Sequence, residues 1–184
     1  MSERFWLNMV HDYCTSESHA FPAVFKKIIA SESPFSRGNA EGHITGSAFI
    51  VDPKVGQALL IHHKGLDLWL PPGGHVDEGE TPVEAARREA GEEAGLYDMT
   101  LAKEAILDID IHKIPYSARK QEPEHWHVDF SFLFFQDSKE PVTVNEEECK
   151  GYQWVDLLSL AETANGSLKR MATKALAQLN LHQS

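Results

Sequence analysis

Residues 73–96 read GGHVDEGETPVEAARREAGEEAGL, and this stretch is the most informative part of the sequence. Thr81 can cap a helix, Pro82 suits the first helical position, and Glu84 stands three residues after the cap, which is the spacing of a capping box. Gly95 suits a left-handed helix end. The stretch therefore predicts a helix that starts at Thr81 and ends just before Gly95.

Three glutamates occupy one side of this predicted helix. Glu89, Glu92 and Glu93 are three and four residues apart, so their side chains project from the same face. Their mutual repulsion costs roughly 0.2–0.5 kcal/mol per pair, and Gly91 in the helix interior costs about 1 kcal/mol relative to alanine. A solvated acidic face is the simple interpretation of such a helix, but the residues on either side favour a functional one.

The stretch resembles the Nudix box along its whole length. The matching pattern is Gly74-x5-Glu80-x7-Arg88-Glu89-Ala90-x-Glu92-Glu93-x-Gly95-Leu96. It specifies nine positions over 23 residues, and Ala90 is a soft departure because the family more often has a larger aliphatic residue there. The resemblance implies a pyrophosphohydrolase with an α/β fold, the Nudix-type α/β/α sandwich with a mixed sheet, over roughly residues 43–180.

The same resemblance implies how the box residues act. Glu92 and Glu93 would bind Mg²⁺ directly, and Glu89 would be a ligand or the catalytic base. The carbonyl of Gly73, on the loop before the helix, would complete the ligand set, and Arg88 would hold a glutamate in position. Clustered carboxylates suit Mg²⁺ far better than imidazole or thiolate groups do. We therefore expect Mg²⁺ as the cofactor, with Mn²⁺ as a substitute.

An acidic run, Asn145–Glu148, precedes a short predicted strand near the C-terminus. A solvated turn is the simple interpretation. Many Nudix enzymes, however, use a glutamate from a late loop as an extra metal ligand or general base. Glu147 and Glu148 are the candidates for that role.

Two further stretches alternate polar and apolar residues, as half-buried strands do. Their polar positions are Asp108, Asp110, His112, His125, His127 and Asp129. A histidine–aspartate metal site is the less favoured interpretation, because ordinary strands often have such faces and no metal-binding spacing is met. We expect instead that His127 and Asp129 line the substrate cleft.

The remainder of the chain divides into a helical extension, residues 1–35, and a main domain, residues 36–184. Helical patterns cover residues 4–14 and about 18–30, and we expect them to pack on the main domain or, in a sharper hypothesis, to form a homodimer interface. Strands are predicted at 43–51, 57–62, 99–112, 126–135 and 151–155, and a C-terminal helix at about 156–181, broken near Asn165.

Composition restricts the partners. The chain has 184 residues with 17 basic and 28 acidic side chains, a net charge of −11, which argues against broad binding to nucleic acid or anionic membranes. A small phosphorylated substrate remains compatible, since bound cations invert the local potential. Two cysteines, no signal-like N-terminus and no long apolar stretch favour a cytoplasmic protein.

The predicted reaction is Mg²⁺-dependent hydrolysis of a nucleoside diphosphate linked to another moiety, with ADP-ribose or nucleotide sugars slightly preferred. The alternative is a (deoxy)nucleoside triphosphate, including oxidised nucleotides. Pro115 and Tyr116 lie 19 and 20 residues past Leu96, and so match neither of two family markers for substrate. A non-catalytic nucleotide-binding regulator and a diphosphate isomerase are less expected, because the box glutamates are all present and neither Cys14 nor Cys149 is evidently placed for catalysis.

Overall fold

The computed structural model of the chain describes residues 5–17, 20–116 and 121–182, with side chains as far as Leu179. In chain order the elements are α1 (Phe5–Ser16), α2 (Ala23–Ile29), β1 (Gly42–Asp52), β2 (Gln57–His63), β3 (Leu68–Leu70), β4 (Gly73–His75), α3 (Pro82–Ala94), β5 (Thr100–Leu101), β6 (Asp108–Ile114), β7 (His125–Phe135), β8 (Cys149–Asp156), α4 (Leu157–Thr163) and α5 (Gly166–His182). Within that part of the chain, no helix has both the length and the apolar character needed to cross a bilayer.

A mixed sheet lies at the centre of the fold. Its main path runs β3-β2-β1-β7-β5, while β4 pairs with β1, β6 with β7 and β8 with β2. The long strands β1 and β7 run parallel, and the other pairs in the described ranges are antiparallel. The predicted α/β fold with a mixed sheet and an N-terminal helical extension is therefore confirmed.

Alternation along β1 explains why helices cover both faces of the sheet. Ile44 and Ile50 belong to a buried cluster shared with α1, α2 and α3, whereas Phe49 and Val51 belong to a second cluster shared with α4 and α5. Helix α3 sits directly on β1, since a Cβ at Gly46 would lie only 2.2 Å from the carbonyl oxygen of Pro82. On the second face, the residues of β1 that precede Phe49 are polar. The cleft described below opens at that end of the sheet.

Some predicted elements were wrong in detail. The expected strand at 99–112 is two strands, β5 and β6, separated by residues 102–107. The glycines that begin the box were expected in a loop, but they form β4 and pair with β1. Helix α2 begins at Ala23, after Pro22, and the start expected near residue 18 lies outside the described residues, as does residue 4. The predicted break in the C-terminal helix is confirmed between α4 and α5.

A buried network ties α1 to β6 and α5. The carboxylate of Asp108 is fully buried and accepts hydrogen bonds from the hydroxyls of Tyr13 (3.0 Å) and Ser167 (2.8 Å), from Arg170 Nη2 (2.8 Å) and from Lys174 Nζ (3.1 Å). Burial raises the pKa of Tyr13 to about 12, so its hydroxyl keeps the proton that it donates. Asp108 therefore has a structural role here, and it does not face a metal site. The boundary at residue 35 between the helical extension and the main domain stays a prediction.

We expect Tyr13→Phe to destabilise the protein. The change removes a donor to buried Asp108 and an acceptor for the backbone N–H of Ile109, which lies 3.1 Å from the hydroxyl. Leaving such groups unpaired costs about 1–3 kcal/mol of unfolding free energy, which urea denaturation would measure. Tyr116→Phe, at a residue that is 63% exposed, is the matched control and should change stability by less than about 0.5 kcal/mol. Equal midpoints for the two variants would contradict the assignment.

Candidate active site

A cleft of about 430 Å³ opens at the polar end of the sheet, between β4, the N-terminal halves of β1 and β7, and the start of α5. Gly73, Glu89 and Glu93 lie on its wall, and so do His127 and Asp129. A larger and more open depression of about 630 Å³ lies beside the loop that follows β1, but it contains none of the predicted site residues. The cleft is therefore the candidate active site.

Helix α3 carries the carboxylates, and its ends are set by the residues that predicted it. Thr81 Oγ1 accepts from the backbone N–H of Glu84 (3.4 Å), and the Glu84 carboxylate accepts from the backbone N–H of Thr81 (2.8 Å). Gly95 ends the helix at φ 71°, in the left-handed region. The predicted helix and its capping box are confirmed, and they fix which side chains face the cleft.

Glu93 is the most deeply buried of the three glutamates, with 3% of its surface exposed. Its Oε2 accepts a hydrogen bond of 2.9 Å from the backbone N–H of Gly73. Burial, reinforced by the nearby charges of Glu89 and Glu148, raises its pKa to about 8 even though the Gly73 contact lowers it. Without a cation beside it, this carboxyl holds a proton at neutral pH.

Glu89 lies against the backbone of β4. A Cβ at Gly74 would be 2.3 Å from Glu89 Oε1, and one at Gly73 would be 2.3 Å from Ser47 Oγ. Gly73 therefore lets β4 pair closely with β1, and Gly74 leaves room for the Glu89 carboxyl beside β4. The side chain of Glu89 is only 16% exposed, and burial raises its pKa.

Arg88 does not lie on the cleft wall, but it connects the carboxylates of this region by hydrogen bonds. Its guanidinium donates to both oxygens of Glu80 (2.9 and 3.0 Å), to Glu89 Oε1 (3.0 Å) and to Glu92 Oε2 (3.2 Å). A further bond of 2.8 Å goes to the carbonyl of His75. Such a planar fork of donors holds carboxylates in fixed orientations. Arg88 thus positions Glu89 and links α3 to β4.

The residues present fit a divalent cation such as Mg²⁺. Two carboxyl groups, those of Glu89 and Glu93, meet on the cleft wall with pKa values raised by burial, and oxygen ligands are what Mg²⁺ prefers. Gly73, whose carbonyl was expected to bind the ion, is beside them. The side chain of Glu92 is 52% exposed and lies outside the cleft wall, so its role as a direct ligand stays a prediction.

The acidic run after residue 144 contributes one residue to the cleft. Glu148 lies on the wall, and its charge helps to raise the pKa of both Glu89 and Glu93. Glu147 is exposed and lies off the wall. The structure therefore brings Glu148, rather than Glu147, to the carboxylates of α3.

A polar face extends along the far side of the cleft, formed by side chains that the strand register brings side by side. Three layers cross β1, β7 and β6: Ser47, Ser131 and Asp108; Thr45, Asp129 and Asp110; His43, His127 and His112. In the middle layer Asp129 accepts from the hydroxyls of Thr45 (2.8 Å) and Ser47 (2.9 Å), and burial raises its pKa. His127 and Asp129 lie on the wall, and a substrate contact by either stays a prediction.

Two histidines of this region were not singled out from the sequence. His43 lies beside His127, and His75 follows the glycines of β4. The signal for His43 was its alternation with Thr45 and Ser47, which marks one polar strand face. Burial lowers the pKa of His43 to about 4 and that of His127 to about 2, so both rings are neutral at physiological pH.

Comparison with known proteins agrees with this geometry. The NUDIX domain family matches residues 43–175 of the chain. A probable DHNTP pyrophosphohydrolase of Lactococcus lactis is 26% identical over 134 residues, which cover 73% of this chain and 80% of the relative. An RNA pyrophosphohydrolase of Bartonella clarridgeiae is 31% identical over 141 residues, covering 67% of this chain and 79% of the relative.

A solved structure supports the same assignment. The crystal structure of a NUDIX-family hydrolase from Clostridium perfringens has a TM-score of 0.55 and 29% sequence identity, and the match covers 76% of this chain and 97% of the other. The fold, the box and its relatives make the protein a hydrolase that acts on phosphoric anhydride bonds. This chain belongs to the NUDIX family.

Proposed function

We propose that the protein hydrolyses a phosphoric anhydride bond in a nucleoside diphosphate that carries another group, with Mg²⁺ as cofactor. ADP-ribose and nucleotide sugars are the preferred substrates of this kind. The observation that carries the proposal is that Glu89, Glu93 and Glu148 line one cleft together with Gly73. Three carboxyl groups in one cleft suit a bound dication and repel a substrate that arrives without one.

Each residue of the site has a defined role in this proposal. Mg²⁺, held by Glu89 and Glu93 with help from Glu92 and the Gly73 carbonyl, would polarise the diphosphate and acidify a water molecule. Glu148 accepts the proton of the water that attacks phosphorus. The bond from that phosphorus to the bridging oxygen breaks, and the bridging oxygen leaves with the other phosphate. Arg88 keeps Glu89 oriented throughout.

The length of the cleft supports an extended substrate. From Ser47, next to Gly73, the polar face continues along β1 to His43, four residues away and hence about 13 Å at 3.3 Å per residue. The hydroxyls of Ser47 and Thr45 come first, Asp129 on β7 lies beside Thr45, and the imidazoles of His43 and His127 follow. A group attached to the diphosphate would lie over Asp129 and His127.

A second candidate is the hydrolysis of nucleotides with a longer phosphate chain, such as (deoxy)nucleoside triphosphates. The names of the relatives favour it. Besides the two pyrophosphohydrolases, an asymmetrical bis(5′-nucleosyl)-tetraphosphatase of Mus musculus is 31% identical over 106 residues. The two candidates share the same metal-binding end and differ in what occupies the rest of the cleft.

A substrate screen separates the two candidates. Phosphate release, after treatment with a phosphatase where needed, would be measured with Mg²⁺ or Mn²⁺ for ADP-ribose, nucleotide sugars, dinucleoside polyphosphates and triphosphates. We expect the highest kcat/KM for a diphosphate linked to a second group. A higher value for triphosphates would replace the first candidate by the second, and no turnover of any anhydride would contradict both.

Glu93→Gln is expected to lower kcat/KM at least about 100-fold, because the amide removes an anionic ligand from the centre of the site. The assay is the substrate screen on its best substrate. Glu78→Gln, at an exposed residue of the loop before α3, is the matched control and should keep full activity. Activity that survives in Glu93→Gln, or that a chelator does not abolish, would rule out the proposed site.

Mg²⁺ affinity is expected to rise with pH. Since the pKa of Glu93 is raised to about 8, binding below that pH must displace a proton, and the gain is at most about tenfold per pH unit between pH 6 and 8. Above pH 8 the affinity should level off. Calorimetric titration with Mg²⁺ at several pH values measures this, and Glu93→Gln should bind more weakly and with a smaller slope, since the raised pKa of Glu89 remains. A pH-independent affinity in the unmodified protein would contradict the role of Glu93.

A further inference from the structure

Five imidazole rings collect at the end of the cleft remote from the carboxylates of α3. This histidine cluster consists of His43, His75, His112, His125 and His127. The ring centroid of His43 lies 4.7 Å from that of His127, and 5.0 Å from those of His75 and His125. No ring of the cluster takes part in the proton transfer or bond cleavage proposed above, so the cluster requires another explanation.

His43 is the ring that packing alone does not explain. It is fully buried, and neither of its ring nitrogens has a hydrogen-bond partner among the described residues. Buried polar groups in proteins are nearly always hydrogen-bonded, because leaving one unpaired is costly. An apolar side chain at this position would avoid that cost. A ligand bound to one of these nitrogens would remove part of that cost.

Three of the rings present nitrogens to one another. One nitrogen each from His43, His125 and His127 lie within 4.8 Å of one another. The Nε2 atoms of His125 and His127 are 3.1 Å apart. Two imidazole nitrogens bound to one tetrahedral zinc ion, each at 2.0–2.1 Å, would be about 3.3 Å apart. The pair, which shares a hydrogen bond in the protein alone, is thus close to the separation that a shared ion requires.

A carbonyl group sets the orientation of His125. Its Nδ1 lies 2.8 Å from the carbonyl oxygen of Pro123, and because a carbonyl only accepts, Nδ1 carries the proton. In the neutral ring, Nε2 then offers a lone pair towards His127. Metal-binding histidines characteristically donate their other N–H to a carbonyl or carboxylate in this way.

The remaining two rings are engaged through their Nδ1 atoms. His75 Nδ1 lies 2.7 Å from the guanidinium of Arg37, and His112 Nδ1 lies 2.9 Å from the Asp110 carboxylate. These contacts leave His43, His125 and His127 as the set whose nitrogens converge.

We propose that His43, His125 and His127 bind a divalent transition metal of the zinc type, in a site separate from the Mg²⁺ site. Imidazole selects such metals over Mg²⁺, and three histidines leave a fourth coordination position open. His125 and His127 line the cleft, so that position would hold water or a donor atom from the non-phosphate end of the substrate. The spacing of about 13 Å along β1 keeps this ion away from Glu93.

The test is a Zn²⁺ titration of the full chain, freed of metal by a chelator and then saturated with Mg²⁺. We expect calorimetry to give one Zn²⁺ per chain, and Co²⁺ to give the visible absorption of tetrahedral coordination. His127→Gln, at a half-buried ring, should lower Zn²⁺ affinity at least about 100-fold, more than the loss of an outer hydrogen-bond partner does. His43→Gln and His125→Gln should act alike, with thermal unfolding reporting that each variant is folded.

Two controls separate this site from other Zn²⁺ binding. His11→Gln, at an exposed residue of α1, and Glu93→Gln should both keep one tight Zn²⁺, although the second loses Mg²⁺. The site is overturned if the unmodified chain binds no stoichiometric Zn²⁺, if His127→Gln binds it as tightly, or if Glu93→Gln abolishes it. Because Zn²⁺ binding is read without substrate, failure of the hydrolytic proposal would leave this result intact.

Discussion

The close approach of α3 to the sheet is the constraint on which the rest of the site depends. Glycine at position 46 lets the helix rest on β1, Gly73 lets β4 pair closely beside β1, and Gly74 leaves room for the Glu89 carboxyl. Only with this spacing can Glu93 reach the backbone N–H of Gly73 while buried. The desolvation of that carboxylate is unfavourable in the protein alone, and a dication offsets it. The packing of one helix thus makes the site favour a bound metal ion.

Local signals were enough to predict α3 from the sequence. A cap, a stop and the glutamate spacing all lie within residues 73–96, so each could be read without knowledge of the fold. The same holds for the alternation that marks β6 and β7 as strands with a polar face. Such patterns report the conformation of the segment that contains them, and the structure agrees with them for these elements.

The pairing of distant segments could not be predicted from the sequence. His43 meets His127 because β1 and β7 run parallel in one register, and no local pattern specifies that register. Asp108 looked equivalent to Asp110 by alternation, yet α1 and α5 surround the first and the cleft exposes the second. Glu147 and Glu148 are neighbours in sequence, and only the course of their loop distinguishes them.

The network around Asp108 has a consequence for where the folding unit begins. The region shared with the NUDIX family starts at residue 43, but Tyr13, which donates to the buried Asp108, comes thirty residues earlier. A chain trimmed to the shared region would leave that carboxylate without one of its donors and uncover the part of the core against which α1 packs. We therefore expect the span that is inherited with the family and the span that is thermodynamically self-sufficient to differ, and homology alone would place the start of this protein too late.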